Sequence, residues 1–140
     1  MMTVLNLQEV QERVNQLAEV INAPSDVLPT FGFSEQIGRP HIEVDKIGYH
    51  YIVAERGNEI GHDRFTDIDD LLYKVFESIT FEMSCRYELS HRIEEQDFRR
   101  IVFSHQVELL SQLSPKWANL EQGEHQRILK QCPFDDEAFK

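Results

Sequence analysis

The chain has 140 residues, of which 41% are hydrophobic and 10% aromatic, a size at which one core can bury roughly two-thirds of the unfolded chain's surface. Its 25 acidic and 14 basic residues leave a net charge of −11 with His neutral, which excludes direct binding to nucleic acid or an anionic membrane, since both require clustered Lys and Arg. No apolar run approaches the ~18 residues of a membrane span, residues 1–7 lack the pattern of a signal peptide, and Cys85 and Cys132 stand apart without a CxxC pairing. A single-domain, cytoplasmic protein with reduced structural thiols is expected, its acids spread evenly: residues 1–65 and 66–113 each hold ten acids and five bases.

In residues 4–22, Leu7, Val10, Val14, Leu17 and Ile21 recur at helical spacing, and Pro24 ends the helix. From residue 27 to 65 the period falls to two and Gly and Pro become frequent. Residues 27–34 read as a strand that Pro29 confines to a sheet edge, residues 41–45 as a short strand, and residues 49–55 as a central strand apolar on both faces. Arg56-Gly57-Asn58 then turns the chain into a returning strand. Connections this short predict an antiparallel meander of three to four strands.

A long helix follows, with Ile68, Leu72, Val75, Ile79 and Met83 as its apolar stripe. Thr66 and Asp69 have capping-box spacing, and Asp67, Asp69 and Asp70 sit at the positive end of the helix dipole. After a break near residues 93–97, a second helix carries Phe98, Ile101, Val102, His105, Leu109 and Leu113. Ser114-Pro115 starts a third, with Trp117, Leu120, Glu124 and Ile128 on one side. Phe134 tucks back toward the core and residues 135–140 read as a fraying tail. The expected fold is therefore α+β: one helix, a small sheet, then three helices packed on it.

Catalytic signatures are missing: there is no phosphate-binding Gly loop, GxSxG, HExxH or paired-cysteine ligand set. His41, His50 and His62, with Asp63, lie on neighbouring strands, but no i, i+2 or i, i+4 His pair anchors a metal site, and neither metal nor cofactor is expected. His105 reads as a core histidine, and His91 and His125 as surface residues. Tyr87, Glu88, Arg92, Asp97, Arg99 and Arg100 form the densest polar group. Glu88 with Arg92 at i, i+4 and Asp97 with Arg100 at i, i+3 suit ion pairs that fix a helix junction.

As a set, these residues resemble a known family. Tyr49-His50-Tyr51-Ile52-Val53-Ala54-Glu55-Arg56-Gly57 with Glu59, then Asp69-Asp70-Leu71-Leu72-Tyr73, then Tyr87-Glu88, Arg92 and Gln96-Asp97-Phe98-Arg99-Arg100, and finally Phe103, Gln106, Leu109, Leu110 and Trp117, resemble the immunity protein 63 family of bacterial polymorphic toxin systems over residues 24–134. The resemblance implies a non-catalytic antidote that binds a cognate protein toxin and occludes its active surface, and a monomer or weak dimer is expected. The acidic charge suits a basic, nuclease-like partner. The expected contact surface is the acidic rim of Glu55, Glu59, Asp63, Asp67, Asp69 and Asp70, while Tyr87, Glu88, Arg92, Asp97 and Arg100 are expected to be scaffold. Two other classes fit the residues: a ligand-binding accessory protein with Phe31, Phe33, Tyr49 and Tyr51 as its pocket, and a metal-dependent hydrolase built on the strand histidines.

Overall fold

The computed structural model describes residues 4–140, and the chain divides into two compact units, Met1–Phe76 and Glu77–Lys140. In the first, helix α1 (Leu7–Val20) begins at Asn6, whose side chain accepts from the Glu9 amide while the Glu9 carboxylate accepts from the Asn6 amide. This reciprocal cap, together with Val10, Val14, Ala18 and Ile21 buried on one side, defines the helix and its inner face. α1 packs against the second of four strands, β1 (Thr30–Phe31), β2 (His41–Val44), β3 (Tyr49–Glu55) and β4 (Asn58–Phe65), which lie side by side in chain order.

The sheet is mixed rather than an antiparallel meander. β2, β3 and β4 are antiparallel, but β1 pairs parallel to β2 through Thr30 opposite His41 and Phe31 opposite Ile42. A parallel pair needs a crossover, and here residues 32–40 make it without a helix, with Gly32, Gln36 and Gly38 all at positive φ. The expected strand over residues 27–34 shrinks to the two residues of β1, at the edge as Pro29 requires, preceded by a 3-10 turn at Ser25–Val27. The β3–β4 hairpin turns through Arg56 and Gly57, both at positive φ. The main chain of Arg56 and Gly57 donates to the backbone carbonyl and side chain of Gln36. Gly48 in the β2–β3 turn is sterically obligatory, because a Cβ there would lie 2.3 Å from the Phe65 carbonyl oxygen.

Helix α2 (Ile68–Ser90) opens at Asp67, one residue later than expected: Asp67 Oδ1 accepts the Asp69 amide at 2.7 Å, so the cap falls on Asp67 rather than on Thr66. Leu71, Leu72, Val75 and Phe76 are buried in the first unit, alongside Ile42, Tyr49, Tyr51 and Ile52 of the sheet. Lys74 extends over the Tyr51 ring, 5.5 Å from its centroid, and reaches Asp63 at 3.8 Å.

The boundary between units falls within α2. The second unit holds the rest of that helix, α3 (Arg99–Leu113) and α4 (Pro115–Gln131), with Ser114 capping α4 and Pro115 in its first turn as the sequence indicates. α3 packs on α4. Its interior is unusually polar: Thr80, Ser84, Glu88, Asp97, Gln106, Glu121 and His125 are all buried. The tail is pinned rather than frayed. It forms a 3-10 turn over Asp136–Phe139, the Phe139 ring meets Phe98 edge-on at 5.8 Å, and Asp136 accepts the Asp97 amide at 2.8 Å.

Candidate functional site

The six acids of the expected rim come from three consecutive elements. Glu55 ends β3, Glu59 and Asp63 lie on β4, and Asp67, Asp69 and Asp70 open α2. They are not gathered at one point: Glu59 shares the face of His62, Asp63 lies on the opposite face of β4 beside Lys74, and Asp67, Asp69 and Asp70 stand at the start of α2. Glu55, Glu59, Asp63 and Asp70 are exposed, while Asp67 and Asp69 are half-buried at the helix cap. Nearly all of β4 is open to solvent, and Ile60 is 63% exposed between the acids.

On one face of the sheet, four titratable groups form a chain of contacts. Asp45 Oδ2 is 2.6 Å from His50 Nε2, His50 Nδ1 is 2.9 Å from His62 Nε2, and His62 Nδ1 is 3.1 Å from Glu59 Oε2. The Gly48 amide, with His50 and the Ile47 amide, holds the Asp45 carboxyl below the usual carboxylate range. The chain ties the β2–β3 turn to β3 and β4. It does not assemble the candidate metal set: His41 instead lies 3.5 Å from Glu43, and Asp63 is turned to the opposite face beside Lys74. Among the described residues, no three His, Cys, Asp or Glu side chains are arranged to hold a metal ion. The suggested aromatic pocket is also dispersed. Tyr49 and Tyr51 are buried, the Tyr49 hydroxyl accepts the Leu5 amide, and Phe33 is 59% exposed.

In the second unit, the polar group at the helix junction resolves into separate partnerships. Arg92 grips the buried Glu88 with two hydrogen bonds, of 3.0 and 2.8 Å, and this guanidinium lowers the Glu88 pKa. Asp97 pairs with Arg99, not with Arg100 as the i, i+3 spacing suggests. Arg99 Nη2 donates to Asp97 Oδ2 at 2.8 Å, and the Arg99 and Asp135 amides also donate to the Asp97 carboxylate. These donors, the Arg99 side chain foremost, bring the Asp97 pKa down to about 2. Arg100 instead takes Asp136 and lies 4.3 Å from the Phe134 ring centroid. Tyr87 is stacked between His91 and His105, at 3.9 Å from each. Burial pushes the His105 pKa down, as suits a packed neutral ring.

Sequence reasoning missed a buried triad. His125, expected at the surface, is 6% exposed, 2.9 Å from Gln106 Oε1 and 3.2 Å from Glu121, and stacks on Phe103. Gln106 Nε2 continues to the Glu77 carbonyl at 3.0 Å. The signal was present, since Trp117, Glu121 and His125 recur every four residues, but polar residue types masked it. Leu120, expected inside, is 47% exposed.

The sequence model of the family Immunity protein 63 matches residues 45–127, well over half of the chain. That span runs from the β2–β3 turn through most of α4, and contains the six rim acids, the histidine chain and the Glu88–Arg92 and Asp97–Arg99 pairs. Neither the curated proteins nor the solved structures include a match to this chain.

Proposed function

Because the chain belongs to the immunity protein 63 family, we propose that it is the antidote of a bacterial polymorphic toxin system, neutralising its cognate toxin by binding over the toxin's active surface rather than by catalysis. The observation that carries this reading is the set of exposed acids, Glu55, Glu59, Asp63 and Asp70, on the β3–β4 hairpin and the start of α2. Folding leaves most of these carboxylates in solvent, and the net charge of −11 gives the whole molecule the same sign. A basic toxin, such as a nuclease, is drawn to such a surface, and charge of this kind acts chiefly on the association rate. The helix-junction residues Tyr87, Glu88, Arg92, Asp97 and Arg100 serve as scaffold in this reading, because each is engaged within its own unit.

The test is co-expression with the toxin encoded beside this chain, followed by binding kinetics on purified proteins. Wild type restores growth and forms a one-to-one complex. Glu55→Lys, Asp63→Lys and Asp70→Lys together spare the Asp67 cap and slow association by about tenfold or more at low salt, with a much smaller effect at high salt. An unchanged rate and an unchanged salt dependence would remove these acids from the interface.

A further inference from the structure

The hydrogen-bond direction along the sheet follows from its register. β1 is bonded to β2 through the Pro40 and Ile42 carbonyls, so Ile42 turns its main-chain groups toward β1, and His41 and Glu43 turn theirs toward β3. Glu43 is opposite His50 and His41 opposite Ile52, so His50 and Ile52 face β2, and Tyr49, Tyr51 and Val53 face β4. Their partners Phe65, Asp63 and Gly61 are thereby used in the ladder. The N–H and C=O groups of His62 and Arg64 consequently point away from the sheet, along an edge on which no strand lies among the described residues.

This edge is long enough to pair. The register slips between Val53 and Ala54, leaving Ile60 as an extra residue, but Gly61–Phe65 runs in unbroken register with β3. Gly61 adds a notch. A Cβ there would meet only Val53, at 3.8 Å, and Val53 is half-buried, so the side chain of an added strand has room above it. The edge is guarded by charge rather than by a covering element: Glu59 and Asp63 lie on β4, flanked by Glu55 and by Asp67, Asp69 and Asp70 opening α2, and these six acids outnumber the three bases there, Arg56, Arg64 and Lys74. Charge of that sign repels a second copy of this chain and admits a basic segment.

We propose that the toxin docks by strand addition: an extended, basic segment pairs with the outward main-chain groups of His62 and Arg64, sets a cationic side chain beside Asp63 and fills the Gly61 notch with an apolar one. This rests on the antidote reading, and the measurements separate the two. Hydrogen exchange is followed on the wild-type protein, alone and bound to the toxin domain encoded beside it. The His62 and Arg64 amides exchange fast in the free protein and become protected in the complex, whereas those of Gly61, Asp63 and Phe65 are protected in both. Arg64→Pro, which removes one outward donor, weakens binding about tenfold beyond Arg64→Ala, and Gly61→Val weakens it while leaving the melting temperature unchanged or higher. A tight wild-type complex without new protection at His62 and Arg64 would overturn strand addition and leave the antidote role standing. No complex with the wild-type protein would overturn the antidote role and this proposal together.

Discussion

Asp97 is 1% exposed at the start of α3, and its carboxylate gathers the Arg99 guanidinium together with the Arg99 and Asp135 amides. Its pKa of about 2 lies below the 3.8 of an unpaired aspartate, so the unfolded chain binds the proton more readily. The stability this provides is complete above pH ~4 and disappears as the pH falls through about 2; a shift of this size corresponds to roughly 2 kcal/mol. Asp97→Asn keeps the shape and removes the charge. It is expected to lower the melting temperature at pH 7, flatten the acid limb of stability between pH 4 and 2, and expose the bonds around Asp135–Lys140 to limited proteolysis. Arg92→Ala leaves the Glu88 carboxylate without its guanidinium partner, so calorimetry should record a loss of stability while affinity for the toxin of the proposed reading stays within a few-fold. The Glu88–Arg92 pair was legible because i, i+4 spacing is a local property. Asp97 was assigned the wrong arginine because Arg99 is oriented by the Cys132 and Pro133 carbonyls, which are more than thirty residues away in sequence.

Among the elements, α1, β3, β4 and the Ser114-Pro115 start of α4 were legible from periodicity and from residues with restricted backbones. β1 was not, because two residues of strand have no period of their own, and a parallel pairing depends on the positive-φ positions of the loop that follows. The buried polar face joining α2, α3 and α4 was hidden for a different reason. Apolar periodicity cannot register Thr80, Gln106, Glu121 and His125 as interior, although Gln106 alone contacts the Glu77 carbonyl, Thr80 and His125. Gln106→Ala should therefore cost about 2–4 kcal/mol by opening a cavity and leaving buried polar atoms unpaired. Urea denaturation gives the value, and a loss below 0.5 kcal/mol would mean that water replaces the amide without penalty.

At the scale of the whole molecule, no helix among the described residues is long and apolar enough to cross a membrane, and the charge of −11 sets how the surface meets anything else. The sequence carried that charge and the order in which the acids occur. Only the fold shows where they stand, Glu55, Glu59 and Asp63 on the β3–β4 hairpin and Asp67, Asp69 and Asp70 at the start of α2. The open edge of β4 has a consequence for life at high concentration. Concentrated molecules with unpaired strands tend to precipitate as cross-paired sheets. Acids beside each edge keep identical molecules apart, so replacing them with neutral residues is expected to lower the concentration at which the protein stays in solution.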